Sequence, residues 1–327
     1  MEQKVVRVST LVVVGALLLR LASGGFLGGF LKLTPQLASC MLFLQTGRLA
    51  RPSGITFSPT DPTEETPPET EVTPTEPALL TFSAQEAELL TVNSSFSYTA
   101  DLPALLSKPL SWDLTAGEPT VLIVHSHASE SYAPTGTYEE ISPYHTLDAQ
   151  YNMLSVGALI AARLEAAGIS VLHDTSLHDH PSYNASYSNS RSSIADYLEQ
   201  YPSISLVLDL HRDSIEDEEG NQIAQTVFAQ GQTLAPLMLV VGTDYGGLHH
   251  PQWRENLALA LKLQTQLERS YPGICRNLNL RSQRFNQDLS PGALLVEVGT
   301  SGNTHQQALA SAEVLAQGII ALARGSQ

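Results

Sequence analysis

The stretch that decides the fold is residues 120–130, which read TVLIVHSHASE. The first five residues form a nearly continuous apolar run, which is typical of a strand that is buried on both faces. The run changes without a linker into two histidines and a glutamate. In parallel sheets, functional groups collect at the carboxyl ends of the strands. This stretch therefore predicts a buried parallel strand that carries chemistry at its end.

Short apolar runs and helical spacing alternate through the rest of the chain. This order is typical of an α/β fold, and we expect a mostly parallel twisted sheet with helices on both faces. Gly168 follows a helical pattern and is a candidate C-cap. The predicted strands are residues 120–124, 169–172, 204–210, 222–229, 236–241 and 293–298, and the predicted helices are residues 147–167, 188–201, 251–270 and 304–323.

The amino-terminal region, residues 1–50, contains an apolar segment at residues 8–31. It has about the length needed to cross a bilayer, roughly 20 residues. We favour a membrane anchor; a cleaved signal peptide is the alternative, because Lys4 and Arg7 precede the apolar core and small residues follow it. Either interpretation implies export. We expect a single-pass protein of the cell membrane with its folded domain on the extracytoplasmic side.

Residues 51–106 have a different composition, rich in Pro, Thr and Glu, with no Lys or Arg between Arg51 and Lys108. Such a stretch buries too little apolar surface to offset its conformational entropy, so we expect a disordered linker. The folded domain is then expected at residues 107–327.

Charge and cysteine content exclude several classes of protein. The 327 residues carry a formal charge of −16, which argues against a nucleic-acid partner, since phosphate binding requires a basic surface. The two cysteines, Cys40 and Cys275, are too few for a disulfide scaffold or a thiolate zinc cluster.

Histidines and carboxylates follow three of the predicted strands. Such residues without thiolates suit a catalytic zinc ion (Zn²⁺), which uses about three protein ligands. The candidate ligands are His127, Glu130 and His211, and His125 is either a fourth ligand or an orienting neighbour. Zinc lowers the pKa of a bound water, and a separate carboxylate must then carry the proton. Glu297 is the candidate for that role; alternatively, it is a buried carboxylate paired with an arginine.

Three arginines, Arg276, Arg281 and Arg284, lie close together in an otherwise acidic chain. A guanidinium group can bind a carboxylate through two parallel hydrogen bonds. We therefore expect these arginines to bind carboxylates of a substrate, with ordinary surface salt bridges as an equally good explanation.

Several long strings resemble the stage II sporulation protein P family, membrane-anchored peptidoglycan hydrolases of spore-forming bacteria. The strings are VLIVHSHASESY (121–132), LVLDLHRDS (206–214), VVGTD (240–244), WRENLALALKL (253–263) and SQRFNQDLSPGALLVEVGTSGNT (282–304). They occur in matching order from about residue 111 to the end. The predicted anchor and linker also resemble that family's plan.

The resemblance implies a zinc-dependent N-acetylmuramoyl-L-alanine amidase with a fold similar to the zinc amidases of cell-wall turnover. His127 and His211 match the histidine ligands of that group, and Glu297 matches its catalytic carboxylate. For the glutamate ligand, Glu130 is preferred to Asp148, which lies nearer the position used in the wider group. The resemblance also implies cleavage of stem-peptide cross-links and work with stage II sporulation proteins D and M during engulfment of the forespore.

Two alternatives to the amidase remain at this point. One is an endopeptidase that acts mainly on stem-peptide cross-links with the same metal site. The other is a scaffold that binds the cell wall, holds no metal and recruits a partner hydrolase.

Overall fold

The computed structural model describes residues 80–110 and 112–325. The predicted membrane segment and the first part of the predicted linker lie outside these residues. The helices are α1 (Ala84–Ala87), α2 (Leu102–Ser107), α3 (Met153–Ala166), α4 (Ser186–Gln200), α5 (Trp253–Ser270) and α6 (His305–Gly325). The strands are β1 (Val92–Ser94), β2 (Val121–Val124), β3 (Val171–His173), β4 (Leu206–Asp213), β5 (Val227–Ala229), β6 (Gln232–Leu234), β7 (Leu237–Gly242), β8 (Leu278–Arg281) and β9 (Ala293–Thr300).

Seven strands form one sheet in the order β1-β8-β7-β9-β4-β2-β3. Every neighbouring pair is parallel except β7 and β9, which are antiparallel. β5 and β6 form a separate antiparallel hairpin. The predicted α/β class and the mostly parallel sheet are therefore confirmed.

The two faces of the sheet pack against different helices, because successive side chains of a strand point to opposite faces. In β2, Val121 and Ile123 belong to the large core that also contains residues of α3, α5 and α6. Leu122 and Val124 pack on the other face with Ile194 of α4. Helices thus cover both faces, as predicted.

Local signals explain where α3 begins and ends. The side chain of Asn152 accepts a hydrogen bond from the backbone N–H of Leu154, which satisfies a free donor of the first turn. Gly168, just past the helix, has a φ of 87°, a left-handed conformation that favours glycine. The helix ends where predicted, with Ala167 as the C-cap residue and Gly168 directly after it, but it begins at Met153 rather than at residue 147.

Part of the predicted linker is ordered. β1 pairs in parallel with β8 at the edge of the sheet, and α2 packs against α5. Arg269 of α5 holds Glu86 at 2.6 Å, and Leu106 is fully buried. The folded unit therefore includes residues 80–106 and begins earlier than the boundary expected from composition. The reason is that this part of the segment again contains apolar residues, such as Leu106, which are buried against the domain.

Two strand predictions need correction. Residues 222–229 were expected to form one strand, but only Val227–Ala229 does, and it lies in the hairpin outside the main sheet. Leu278–Arg281 forms β8, a strand that the sequence pattern does not predict. Its sequence, LNLR, alternates apolar and polar residues over only four positions and is flanked by polar residues, so it resembles a loop.

Among the described residues, one helix, α6, is long and apolar enough to cross a membrane. In the most apolar 18-residue stretch of this helix, 61% is buried inside the folded unit. A helix that is mostly buried in this way packs as part of the core.

Candidate metal centre

The sheet brings residues from two central strands to the same place. His211 of β4 and Glu297 of β9 are register partners on adjacent parallel strands. By strand alternation both belong to the face covered by α4, together with Asp209, which lies two residues before His211. The loop after β2 reaches this same end of the sheet and carries His127 and Glu130.

Three side chains converge there: His127, Glu130 and His211. Their ligand atoms lie within 4.8 Å of one another. The Nδ1 atom of His127 lies 3.4 Å from Oε1 of Glu130, and the Nδ1 atom of His211 lies 3.6 Å from Oε2. Two imidazoles and one carboxylate are ligands that zinc takes in catalytic sites. The group therefore fits a metal cofactor.

The second nitrogen of each histidine has its own polar neighbour. His127 Nε2 lies 3.0 Å from the hydroxyl of Ser186, at the start of α4. His211 Nε2 lies 2.9 Å from Oδ1 of Asp209, at ion-pair distance but without a well-aligned hydrogen bond. Metal-binding histidines commonly have such an outer partner, which fixes the ring. Here it leaves the Nδ1 atoms turned towards Glu130.

Arg212 fixes the orientation of Glu130. Its backbone N–H donates to Oε2 of Glu130 at 3.1 Å, and its guanidinium donates to the carbonyls of Ser131 and Tyr144. Burial by itself would raise the pKa of Glu130, but the Arg212 charge and the contacts with His127 and His211 hold that pKa well below its usual value. Glu130 is therefore an anion in the folded protein.

Glu297 lies beside the group without belonging to it. Part of the side chain reaches solvent, whereas Oε2 is inaccessible and has no hydrogen-bond partner among the described residues. Burial raises the pKa of Glu297 to about 8, and the nearby charge of His211 opposes this effect. A carboxyl group with a pKa near neutrality can both accept and return a proton.

His125 does not join the group. Its ring lies on the face of α3, where Nδ1 is 3.2 Å from the carbonyl of Leu210 and Nε2 is 2.8 Å from Nε2 of His173. Gly157 of α3 makes room for both rings, since a Cβ there would lie 2.5 Å from His125 Nε2. Burial and the neighbouring His173 lower the pKa of His125 to about 3. β2 ends at Val124 and residues 126–129 form a turn, and this turn separates His125 from His127.

Asp148, the alternative carboxylate ligand, is exposed and also lies outside the group. Its Oδ1 accepts a hydrogen bond from the backbone N–H of Gln150. The carboxylate that the fold places between the two histidines is that of Glu130.

The three predicted substrate arginines lie in different settings. Arg276 forms an ion pair with Asp213 at 2.6 Å, and Arg284 lies 3.1 Å from Asp288. Arg281 is exposed at the end of β8. Substrate binding by these arginines stays a prediction.

Several residues of this site have no signal in the sequence pattern that assigns them a role. Tyr183 stacks on the ring of His127 at 4.4 Å, and the ring of Tyr187 lies 5.3 Å from that of His127. Both tyrosines come from the region where α4 begins, far from the ligands in sequence. Asp209 could have been identified, because two residues is the strand period that places it on the same face as His211.

The chain matches one protein-family model, that of stage II sporulation protein P, over residues 56–320. A comparison with curated proteins found no match.

Solved structures similar to this chain include three N-acetylmuramoyl-L-alanine amidases. The Nostoc punctiforme enzyme AmiC2 is 20% identical, with a TM-score of 0.36, and the match covers 64% of this chain and 96% of that one. The Mycobacterium smegmatis enzyme Ami1 is 16% identical, with a TM-score of 0.40 and coverages of 66% and 100%. The Clostridium difficile 630 enzyme is 16% identical, with a TM-score of 0.35 and coverages of 62% and 96%. Likenesses this low do not assign an activity.

Proposed function

The chain belongs to the stage II sporulation protein P family, and we propose on this premise that it is a zinc-dependent peptidoglycan hydrolase. The bond cleaved is the amide between N-acetylmuramic acid and the L-alanine of the stem peptide. Family membership supports peptidoglycan hydrolysis. The observation that carries the proposal is the convergence of His127, Glu130 and His211 beside the half-buried Glu297.

His127, Glu130 and His211 would hold the zinc ion. When bound, zinc polarises a carbonyl group and lowers the pKa of a water molecule. Neighbouring residues of the chain fix the orientation of these ligands. Asp209 and Ser186 fix the two imidazoles, while Arg212 fixes Glu130. The ligands therefore need little rearrangement, which favours catalysis by a preorganised site.

Glu297 is proposed to carry the proton. Its Oε2 has no hydrogen-bond partner among the described side chains, so it is free to take the proton of the attacking water. The same oxygen then gives the proton to the nitrogen of the leaving L-alanine. Burial, which raises the pKa of Glu297 to about 8, makes both transfers feasible near neutral pH.

The proposed cellular location is supported by the amino-terminal segment and by family membership. We propose that residues 8–31 anchor the chain in the cell membrane and that the catalytic domain faces the wall. Stage II sporulation proteins D and M are the proposed partners, and engulfment of the forespore is the proposed process. Family membership and the apolar segment support this part of the proposal.

Digestion of purified sacculi by the full-length protein in detergent, followed by mass spectrometry, tests the reaction. An amidase releases intact stem peptides and leaves bare glycan. An endopeptidase leaves stems attached to glycan and opens only the cross-links. A wall-binding scaffold releases nothing and contains no stoichiometric zinc by metal analysis. Either of the last two results contradicts the amidase.

A further inference from the structure

A groove of about 430 Å³ lies beside the metal centre. Tyr187 is common to both: its ring lies 5.3 Å from that of His127 and 5.8 Å from that of Phe285, which lines the groove. Arg191 and Arg284 also line it. The groove therefore begins one aromatic side chain away from the proposed metal ligands.

The charge in this groove is not balanced. Asp288 accepts two hydrogen bonds from Arg191, each at 2.8 Å, and one from Arg284 at 3.1 Å. Two guanidinium groups thus share one carboxylate, and one positive charge is left over. In contrast, Arg276 and Asp213 pair one to one. Among the described residues, Arg284 makes no further side-chain hydrogen bond, so most of its donors are free.

The loop that carries Arg284 is held in an unusual conformation. Phe285 and Asn286 have φ values of 50° and 58°, although neither is glycine. The amide of Asn286 donates to the carbonyl of Tyr187 at 2.9 Å and to the hydroxyl of Ser190 at 3.1 Å. Strained backbone that the surroundings enforce in this way is concentrated at ligand sites. The contacts couple the loop to α4, which also carries Tyr187.

We propose that Arg284, with Arg191, binds a free carboxylate of the stem peptide. This inference rests on the proposed function. The second residue of a stem peptide is a glutamate, whose α-carboxylate is either free or amidated. It lies about two residues, roughly 7 Å, from the amide to be cleaved. The groove lies next to the metal centre, since the ring of Tyr187 is 5.3 Å from that of His127 and 5.8 Å from that of Phe285. A guanidinium group in it can bind a carboxylate through two parallel hydrogen bonds.

The experiment uses the full-length protein and two synthetic muramoyl peptides that differ only in this group, free acid or amide. The wild-type protein should cleave the acid with a kcat/KM at least tenfold higher than the amide. In Arg284→Gln the preference should fall to about twofold or less, because Arg191 alone is neutralised by Asp288. Arg284→Lys should restore part of it. The matched control is Arg163→Gln. It breaks the one-to-one pair between Arg163 of α3 and Glu313 of α6, and it should keep the full preference.

Binding provides a readout that is independent of turnover. Calorimetry with the Glu297→Gln protein should show that it binds the acid more tightly than the amide. The double variant Glu297→Gln, Arg284→Gln should lose this difference in affinity. Equal handling of acid and amide by the wild type, or a preference that survives Arg284→Gln, overturns the carboxylate site while leaving the hydrolase intact. Failure of the wild type to bind or cleave either peptide overturns both proposals.

Discussion

His211 and Glu297 are register partners on β4 and β9, two adjacent parallel strands at the centre of the sheet. The strand period places both on the face covered by α4. The relationship puts a proposed metal ligand and the proposed proton carrier side by side, on strands whose neighbouring residues Leu210 and Val296 are fully buried. It also separates their roles, since Glu130 and not Glu297 completes the ligand group.

Glu297→Gln should abolish hydrolysis and leave zinc binding intact. Removing a general base of this kind lowers rates by about 10²–10⁴-fold. Muropeptide release and zinc stoichiometry are measured on the same sample, with the exposed Glu199→Gln as control. Activity retained in Glu297→Gln would remove this residue from the mechanism.

Glu130→Gln should lower zinc affinity at least a hundredfold, more than the 10–100-fold typical of losing an outer partner. The reason is that the carboxylate between the two histidines loses its charge. Competition with a chelating dye measures the affinity. Asp148→Asn changes an exposed carboxylate outside the group and should bind zinc like the wild type; the opposite ranking would make Asp148 the ligand.

Asp209→Asn should weaken zinc binding by about 10–100-fold without unfolding the domain. Ser126 donates to Asp209 through its backbone N–H and its hydroxyl, and this fixes the carboxylate beside His211 Nε2. The asparagine keeps an acceptor for Ser126 but loses the charge that favours the correct ring orientation. Zinc affinity equal to that of the wild type would show that Asp209 is only a structural residue.

Asp174→Asn should make stability less sensitive to acid. Burial would raise the pKa of Asp174, but hydrogen bonds from His178, Ser176 and Ser193 lower it well below its usual value of 3.8. The folded state therefore favours the carboxylate, and its contribution is present above pH 4 and lost as the pH falls further. That contribution is on the order of 2 kcal/mol.

Urea unfolding at pH 7, 5 and 3 measures this effect. The wild type should lose more stability than Asp174→Asn between pH 5 and 3, while the exposed Asp196→Asn should follow the wild type. Parallel curves for all three proteins would contradict a role for Asp174.

A chain that begins at residue 107 should be less stable than one that begins at residue 80. The shorter chain loses β1, α2 and the buried side chain of Leu106, and burial of one such leucine contributes about 1.5–3 kcal/mol. Thermal unfolding of the two chains gives the difference. Equal melting temperatures would show that residues 80–106 do not contribute to the stability of the domain.

The sequence by itself determined the fold class and the residue types that meet at the candidate metal centre. Apolar runs such as residues 121–124 specify buried strands, and the polar residues that follow them must gather at one edge of a parallel sheet. The sequence pattern therefore predicts His127, Glu130 and His211 as candidate metal ligands, and they converge in the structure.

Only the tertiary structure decided which neighbours share a face and which elements meet. His125 and His127 are two residues apart, yet the first packs against His173 beneath the sheet and the second faces Glu130. The approach of Tyr187 and Arg212 to the ligands depends on how α4 and the loop after β2 pack. Contacts between segments far apart in sequence leave no local pattern, because packing and not propensity brings such segments together.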